Sequence, residues 1–250
     1  MTDPQSKASS SEDGGDYVGE ELELFKDAIR WKRYVALQLA PFVAGDVLDV
    51  GAGLGENAKH IRGDIQSWTC LEPDASFVAT MQRKIAAGEL PSYCRATRGT
   101  LATLPTDATF DCIVYLDVLE HIKDDRAELA AAAKRLRPGG RLVVLVPAHQ
   151  FLYSEFDAAI GHYRRYDRKQ LLSVASGNLQ VVRARYLDSC GLTLSICNRY
   201  LLRKSTPSAA NIALWDSLFV RLSKISDIMT GYGLGKSVLA VWRKGADTDD

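Results

Sequence analysis

Three alternating glycines mark the strongest candidate ligand site in this sequence. Gly51, Gly53 and Gly55 follow the apolar run Val47–Val50, which predicts a strand, and they precede a helix that begins at Glu56. Glycines let a ligand approach the backbone closely, and ligands of open α/β sheets bind beyond the carboxyl ends of the strands. A tight turn between strand and helix is the alternative, but such a turn does not by itself require three alternating glycines.

The second predicted strand, Trp68–Leu71, is followed by a carboxylate, Glu72. At that edge of a sheet a carboxylate can accept hydrogen bonds from both ribose hydroxyls of a nucleoside. The glycine loop nevertheless departs from the dinucleotide pattern G-x-G-x-x-G, because Glu56 stands where the third glycine belongs. A carboxylate at a helix start repels a pyrophosphate but not a cation. These residues therefore favour a cationic nucleoside ligand over a dinucleotide.

A second group of reactive side chains follows the predicted fifth strand, within residues 147–166. The loop leaves the sheet at the ligand-binding edge, so we expect it to contact the second substrate. An imidazole titrates near neutrality, which makes His162, and with less support His149, a candidate base for a substrate hydroxyl. Tyr153 and Tyr163 are candidate substrate contacts in the same loop.

Two adjacent arginines of this loop, Arg164 and Arg165, admit two interpretations. Their forked guanidinium groups suit a carboxylate or phosphate of the substrate, which makes both candidate substrate-binding residues. Alternatively they pair with Asp157 or Glu155 and rigidify the loop, and we expect this of at least one of them.

Alternating strand and helix patterns predict the framework that positions these residues. Beyond the two strands above, apolar runs predict strands at Phe110–Leu116, Leu142–Val146, Val181–Leu187 and Ser237–Trp242. Apolar spacing and end signals predict helices at Glu20–Ala40, Asp74–Ala87 and Asp124–Leu136, and a capping box at Asp167 begins another. Pro138-Gly139-Gly140 predicts a type II turn. The alternation predicts an α/β fold, a mostly parallel sheet with helices on both faces.

The stretch from about 190 to 235 carries two predicted helices. The first contains Leu192–Leu202, and the second places along one face the apolar residues Leu214, Leu218, Leu222, Ile225 and Met229. We expect this face to pack on the protein's own sheet. A lid over a hydrophobic substrate and a peripheral contact with a membrane surface are the alternatives.

Composition bounds the class of protein. Lys plus Arg and Asp plus Glu number 31 each, so no net field draws the chain to nucleic acid or to an anionic membrane. Five cysteines without a C-x-x-C pair predict neither a disulfide framework nor a zinc site. No apolar run reaches the roughly 18 residues of a membrane span. We expect one cytoplasmic domain at 19–244 between disordered tails at 1–18 and 245–250, and the oligomeric state stays open.

Four segments together resemble the class I S-adenosylmethionine-dependent methyltransferase superfamily, and within it the small-molecule enzymes of the ubiquinone-biosynthesis O-methyltransferase-like group. The segments are VLDVGAGLG, CLEPD, FDCIVYLDVLEHI and LRPGGRLVVLVP, in that order between about Asp46 and Pro147. The resemblance implies a Rossmann-like fold with a seven-stranded, mostly parallel sheet and a helical insertion before the last strand. It also implies S-adenosyl-L-methionine as cofactor and a small-molecule acceptor, for which we expect an oxygen nucleophile.

The resemblance further implies a set of cofactor-binding residues. They are Asp49, Gly51, Ala52, Gly53, Gly55, Glu72, Pro73, Thr100, Leu101, Leu116, Asp117, Val118 and His121. Among them Asp49 would frame the methionine moiety, Glu72 would hold the ribose, and Asp117 would lie near the donor's methyl and amino groups. Thr100 departs from the pattern, since many relatives carry an aspartate there. His121 either contacts the ligand or caps local structure.

No metal site is expected, because Asp117, Glu120 and His121 lack a well-spaced further ligand. Two other functions stay open: a methyltransferase-like subunit that binds the cofactor without transferring methyl, and an NAD-linked oxidoreductase, which Glu56 disfavours. A small-molecule acceptor is the expected partner, and nucleic acid is not.

Overall fold

The computed structural model describes residues 27–175, 177–202 and 208–246. The strands are β1 (Gly45–Val50), β2 (Ile65–Glu72), β3 (Cys94–Arg98), β4 (Phe110–Leu116), β5 (Leu136–Pro147), β6 (Leu179–Leu187) and β7 (Ser237–Lys244). The α-helices are α1 (Ile29–Leu39), α2 (Glu56–His60), α3 (Ala75–Ala86), α4 (Asp125–Arg135), α5 (Glu155–Ala159), α6 (Arg168–Val174), α7 (Ser189–Cys197), α8 (Ala209–Leu214) and α9 (Val220–Met229). Two π-helical turns, Asn198–Leu202 and Trp215–Phe219, continue α7 and α8.

The strands form one seven-stranded sheet in the order β3-β2-β1-β4-β5-β7-β6. The pairings are parallel except those of β7, which runs antiparallel to both β5 and β6. The strand order reverses between β1 and β4, and the crevice at such a reversal is where α/β sheets bind ligands. The structure confirms the predicted Rossmann-like, mostly parallel sheet.

Two apolar cores cover the two faces of this sheet. Val47 of β1 and Val114 of β4 belong to one core, whereas their neighbours Leu48 and Ile113 belong to the other. Because successive side chains of a strand point to opposite faces, burial on both faces requires continuous apolar runs rather than alternation. This is why the central strands were recognisable in the sequence.

Several predicted boundaries shift, each for a local reason. β3 escaped prediction because its sequence, CRATR, is only partly buried and carries two arginines. Pro138-Gly139-Gly140 does not form a turn ahead of the strand but lies inside β5, at a register shift between Phe110 and Cys112 of β4. Gly139 accommodates that bulge with a φ of 79°. Asp74 caps α3 as predicted, accepting hydrogen bonds from the backbone of Ser76 and Phe77.

The ends of the chain are described only in part. The predicted helix Glu20–Ala40 is represented by α1, and its residues 20–26 lie outside the described residues, as do residues 1–19 and 247–250. Gly245 and Ala246, predicted as part of a disordered tail, both make hydrogen bonds with Asn178. The domain therefore extends at least to Ala246.

The apolar face of the inserted helices is exposed, so the expectation that it packs on the sheet is wrong. Leu222, Ile225 and Met229 are 46%, 63% and 81% exposed, and Leu214 and Leu218 are similar. The opposite side of the same helical stretch is the buried one, and it carries Ile212, Trp215, Val220, Ser223 and Asp227.

Buried carboxylates decide which side of the stretch faces inward. Asp227 accepts hydrogen bonds from the Tyr34 hydroxyl at 2.7 Å and from the backbone amides of Asp188 and Ser189 at 2.8 Å each. Asp216 accepts from two amides in the first turn of α1, at 2.8 and 3.1 Å. Because a buried polar group that loses its partners is costly, these bonds determine the rotation of the helices more strongly than the apolar row does.

Within the described residues, no helix has the length and hydropathy needed to cross a membrane.

We predict that Asp227→Ala lowers the free energy of unfolding by roughly 3–5 kcal/mol, because it leaves three buried donors without an acceptor. Urea unfolding followed by circular dichroism measures this. Tyr34→Phe is the matched control and should cost about 1 kcal/mol, since the carboxylate keeps both backbone donors. Equal, small losses in the two variants would contradict the inferred role of Asp227.

Candidate active site

A cavity of about 1900 Å³ opens at the carboxyl ends of β1 and β4. The glycine loop and Asp117 line one side of it, and the loop from Leu152 to Arg165 lines another. Residues of α7 and α8, including Leu194 and Ile212, line a further part of the wall, as do residues of α1 such as Trp31. The inserted segment and the loop after β5 thus meet the glycine loop around one space.

The glycine loop depends on backbone conformations that favour glycine. Gly51, Gly53 and Gly55 all have positive φ, at 66°, 53° and 77°. A Cβ on Gly51 would lie only 2.7 Å from a methyl group of Val118. The tight-turn interpretation therefore accounts for part of the glycine pattern. Gly51, Ala52 and Gly53 also line the cavity, so the same loop offers its backbone to a ligand.

Asp49, in β1 just before the glycine loop, holds the loop in position through buried hydrogen bonds. It is fully buried and accepts hydrogen bonds from Asn57 Nδ2, at 3.2 and 3.3 Å, and from Trp68 Nε1, at 3.3 Å. Burial raises the pKa of the Asp49 carboxyl to about 7. The residue ties α2 to the first two strands and so determines where the loop between them lies.

Glu72 lies directly beside the glycine loop. Its Oε2 accepts a hydrogen bond from the Gly53 amide at 2.9 Å, and its Oε1 accepts one from the Asp74 amide at 3.1 Å. Burial raises its pKa. Each carboxylate oxygen has a further lone pair, so these bonds orient the carboxylate and leave it able to accept from a ligand.

The predicted cofactor-binding residues Pro73, Thr100 and Leu101, which the resemblance places near the adenine, differ in their surroundings. Pro73 follows Glu72 at the end of β2, and its carbonyl accepts a hydrogen bond from Arg98 Nε at 3.3 Å. Thr100 begins an exposed turn, whereas the Leu101 side chain is 2% exposed and packs in the core. Any contact of Leu101 with a ligand would therefore have to come from its backbone.

Asp117 lies where β4 ends, with a positive φ of 56° and its amide bonded to the Leu145 carbonyl at 2.9 Å. Both Asp117 and Leu116 line the cavity. Asp117 is exposed to the open cavity, yet the neighbouring protein atoms desolvate its carboxyl and raise its pKa to about 6, against the opposing effect of His162 and Lys236. Asp117 is thus a carboxylate that a cationic ligand would readily keep ionised.

His162 is held by a buried carboxylate, Asp157. Asp157 Oδ1 lies 3.0 Å from His162 Nδ1, and the same carboxylate accepts from Arg165 Nε at 2.8 Å, Arg165 Nη2 at 3.0 Å and the Ser154 hydroxyl at 2.8 Å. Burial alone would raise the pKa of Asp157, but the bonds from His162 and Arg165 hold it well below its usual value. Because an ionised carboxylate can only accept, this hydrogen bond places a proton on Nδ1, and in the neutral ring Nε2 is then the proton acceptor.

Two further residues surround His162. The His121 ring meets the His162 ring edge to face at a centroid distance of 4.5 Å, and Glu120 Oε1 lies 3.9 Å from His162 Nε2. Burial, and to a lesser degree His162, lower the pKa of His121 to about 4. The ligand atoms of Glu120, His121 and His162 lie within 4.8 Å of one another, a spacing that could hold a metal ion. His162 thus completes a candidate set of three ligands that spacing along the sequence did not reveal.

Both arginines of the loop are paired with protein groups. Arg165 binds Asp157, as the pairing alternative predicted, although its Nη1 is buried without a hydrogen bond. Arg164 instead reaches Asp125 at 2.7 Å and the carbonyls of Ile122 and Lys123. Arg164 therefore secures the loop to the start of α4, which does not agree with a substrate-binding role.

The remaining candidate residues of this loop also differ in whether they line the cavity or only contact other parts of the protein. The Tyr153 hydroxyl donates to the His162 carbonyl at 2.6 Å, and Tyr153 lines the cavity. Tyr163 is 54% exposed, and its ring lies beneath the Arg164 guanidinium rather than at the cavity wall. His149 Nε2 lies 2.9 Å from the Gly235 carbonyl, and its ring stacks on Tyr186. His149 thus joins the loop to the segment before β7, which leaves His162 as the stronger base candidate.

Lys236 lines the cavity but escaped sequence analysis. Burial lowers its pKa, while Asp188, Asp157 and Asp117 act in the opposite direction. Its Nζ lies 5.1 Å from the centre of the Trp215 ring. Only the fold brings this lysine, from the start of the last strand, to the substrate side of the cavity.

Comparisons with known proteins agree with this arrangement. The family model described as "Methyltransferase domain" matches residues 24–191. A demethylmenaquinone methyltransferase of Tropheryma whipplei is 30% identical over 130 residues, 51% of this chain and 52% of the relative. A ubiquinone biosynthesis O-methyltransferase of Idiomarina loihiensis is 33% identical over 98 residues, 38% of this chain and 40% of the relative. The chain thus spans about half the length, or less, of the curated relatives it matches.

Solved structures show the same fold at low sequence identity. The N-methyltransferase NodS of Bradyrhizobium japonicum, in complex with S-adenosyl-L-homocysteine, aligns with a TM-score of 0.58 at 15% identity, covering 93% of this chain and 99% of its own. An S-adenosylmethionine-dependent methyltransferase of Clostridium acetobutylicum aligns with a TM-score of 0.56 at 12% identity, covering 93% and 99%. With a family model matching well over half of its length, the chain belongs to the methyltransferase-domain family, within the class I S-adenosylmethionine-dependent methyltransferases.

Proposed function

We propose that this protein transfers a methyl group from S-adenosylmethionine to an oxygen atom of a small acceptor, with His162 as the base. The observation that carries the proposal is the buried Asp157–His162 pair at the wall of a cavity that also contains Asp117 and the glycine loop. A histidine oriented by a carboxylate suits an acceptor that enters with its proton, as a hydroxyl does. Relatives named as C- or N-methyltransferases act on other nucleophiles, so the base is what favours oxygen here.

The cofactor would bind across the carboxyl ends of β1, β2 and β4. The backbone of Gly51 and Gly53 would contact its methionine part, and Glu72 would accept hydrogen bonds from its ribose. Asp117 would pair with its amino group, and that opposite charge would keep the carboxylate ionised. When bound, the cofactor supplies a methyl group activated by positive sulfur, so the protein's main task is to position the two substrates.

His162 would act on the acceptor as the methyl group moves. The acceptor O–H proton passes to His162 Nε2, an O–C bond forms as the C–S bond breaks, and neutral S-adenosylhomocysteine leaves. Asp157 stabilises the imidazolium that results, and Arg165 keeps Asp157 in place. Alignment of the oxygen, the methyl carbon and the sulfur provides much of the remaining acceleration.

The lining of the acceptor side indicates an acceptor with an apolar body and a polar or anionic end. Leu194, Ile212 and Trp215 supply apolar surface, while Lys236 supplies positive charge. An ammonium group in a partly desolvated cavity binds a carboxylate or phosphate more strongly than it would in water.

The oxidoreductase alternative receives no support from the start of α2. Glu56 occupies that helix start, and its Oε1 pairs with Lys84 Nζ at 2.8 Å. A pyrophosphate would need to bind at the positive N-terminal end of this helix, and the carboxylate of Glu56 already lies there. A cofactor-binding subunit without transfer activity is distinguished by the experiments below.

We predict that S-adenosylhomocysteine binding weakens as the pH falls below about 6. The raised pKa of Asp117 means that protons compete with the ligand's amino group below that value, at a cost approaching tenfold in affinity per pH unit, whereas above it the carboxylate is ionised and affinity levels off. Asp117→Asn should weaken binding about ten- to a hundredfold and remove this pH dependence. Titration calorimetry measures both effects.

Asp107→Asn, a change in an exposed turn, is the control for the loss of a carboxylate and should keep the wild-type binding curve. If Asp117→Asn left both the affinity and its pH dependence unaltered, Asp117 would not contact the cofactor. If the wild-type protein bound no S-adenosylhomocysteine at all, the proposed activity would be wrong.

We predict that His162→Ala lowers the rate of methyl transfer by about 10² to 10⁴ and leaves cofactor affinity nearly unchanged. The assay is transfer of labelled methyl from S-adenosylmethionine into a metabolite extract of the source cell, followed by mass identification of the product. Raising the pH should partly rescue the variant, because more of the acceptor is then already deprotonated.

His149→Ala is the matched control, since it removes a histidine of the same loop that is bonded to Gly235. If His162 only braced the loop, its variant would lose thermal stability and raise the acceptor's KM but keep the wild-type pH profile. That result would remove the base from the mechanism.

We further predict that a chelator such as EDTA does not reduce transfer. His162 Nε2 cannot hold a metal ion and accept a proton at once, and the cavity already contains the cationic side chains of Lys236 and Arg165 beside a cationic cofactor. Glu120→Gln should likewise leave the chelator response unchanged. Loss of transfer on chelation, with recovery when Zn²⁺ or Mn²⁺ is added, would instead make Glu120, His121 and His162 metal ligands.

A further inference from the structure

An exposed apolar row along residues 209–229, from α8 through the π-helical turn to α9, has no part in the proposed chemistry. Its members are Leu214, Leu218, Leu222, Ile225 and Met229, and they repeat at intervals of three and four residues along one continuous helical stretch, 209–229. Ile228 beside them is 66% exposed. Isolated apolar side chains are common on protein surfaces, but a contiguous row of this kind indicates an interaction surface.

The row cannot turn inward. The opposite side of the stretch is bound through Asp227 to Tyr34 and through Ser223 to Asp188, whose Oδ1 accepts the Ser223 hydroxyl at 2.6 Å. Asp188 Oδ2 also accepts from Trp215 Nε1 at 2.8 Å. Rotating the helices to bury the row would break these buried hydrogen bonds, so its exposure follows from the packing beneath it.

The charges on the same stretch indicate what covers the row. Residues 209–229 contain four charged side chains, namely Asp216, Arg221, Lys224 and Asp227. Both acidic ones are buried and bonded inside the protein. Arg221 is exposed and Lys224 half-buried, so the charge presented outward is entirely positive. By helical spacing Arg221 lies next to the row, whereas Lys224 lies beyond Ile228, with its Nζ 5.9 Å from the centre of the Tyr34 ring.

We infer that residues 209–229 dock this protein on the surface of an anionic lipid membrane. An apolar row lying in the interface, with basic side chains extending toward lipid phosphates, is the arrangement that amphipathic helices use on such membranes. The zero net charge of the whole chain does not oppose this, because the attraction acts locally, within about a Debye length of the basic residues.

Docking would also bring the cavity to the membrane. Asn211, Ile212 and Trp215, on the same stretch, line the acceptor side of the cavity. The stretch would then lie between the lipid and the cavity, and the acceptor side would be about one helix diameter from the membrane, which favours a lipid-soluble acceptor. This consequence rests on the proposed function, whereas the docking itself does not.

The test is flotation of the full-length protein with vesicles of phosphatidylcholine, with and without phosphatidylglycerol, in the absence of cofactor and acceptor. Wild-type protein should bind the vesicles that contain phosphatidylglycerol, and added salt should weaken binding. Ile225→Gln with Met229→Gln should reduce the partition coefficient at least about tenfold, since both side chains lose apolar burial in the lipid. Arg221→Gln with Lys224→Gln should reduce it about fivefold per residue, on anionic vesicles alone.

Val181→Gln is the matched control, because Val181 is 54% exposed but lies on β6, outside the row. It should bind as the wild type does. Circular dichroism checks that every variant is folded. Failure of the wild type to bind anionic vesicles, or an equal loss in Val181→Gln, would overturn the inference. So would a dimer in sedimentation velocity that Ile225→Gln with Met229→Gln dissociates, because the row would then be covered by a second copy of the chain.

Because the vesicles contain neither cofactor nor acceptor, docking and methyl transfer can fail separately. A protein that binds vesicles but shows no transfer would retain the docking surface and lose the proposed function. A protein that transfers methyl in solution but binds no vesicle would retain the function and lose the docking surface.

Discussion

The buried carboxylate of Asp157 is the interaction on which the acceptor side of this protein depends. It accepts hydrogen bonds from His162, Arg165 and Ser154 and is fully buried. A buried charge is tolerated only when several donors satisfy it, so all the groups bound to it must keep their positions together. This one requirement places a proton on His162 Nδ1, commits two of the five N–H donors of Arg165 to the protein, and holds the loop after β5 as one wall of the cavity.

The cofactor side is organised by the reversal of strand order between β1 and β4. Because parallel strands bring their carboxyl ends to one edge, residues that follow different strands become neighbours there. Glu72 therefore accepts a hydrogen bond from the Gly53 amide, and Asp117 lines the cavity beside the glycine loop. The raised pKa values of Asp49, Glu72 and Asp117 share one cause, the desolvation that comes with this crowded edge.

The inserted segment joins the two sides and adds a surface of its own. Its buried carboxylates Asp216 and Asp227, together with Asp188 just before it, bind α1, α7 and α9 into one unit, and Trp215 of that unit lines the cavity. The same bonds hold the apolar row outward. One helical stretch, residues 209–229, therefore lines the acceptor side of the cavity with its buried side and presents the proposed membrane contact on its exposed side. The same hydrogen bonds hold both sides in place.

The sequence by itself determined the fold class, the central strands, the glycine loop, and the residues that follow β2 and β4. These signals are local: apolar runs follow from burial on both faces of a sheet, and glycines from backbone conformations with positive φ. The edge strand β3 lacked such a signal because it is only half buried. That Glu72, Asp117 and the glycine loop lie close together was predictable, because neighbouring parallel strands bring their carboxyl ends to the same edge of the sheet, whatever side chains the strands carry.

Only the tertiary structure decided how residues distant in sequence pair. Lys236 lies close enough to Asp117 to act on its pKa, His162 lies beside Glu120 and His121, and Arg164 pairs with Asp125 rather than with a residue of its own loop. Helical spacing correctly identified the apolar row from Leu214 to Met229 but assigned it to the wrong environment. Periodicity shows that a helix has two unlike sides, whereas the side that faces the core is decided by the partners available to its buried polar groups, and the partners of Asp227 lie on other elements of the fold.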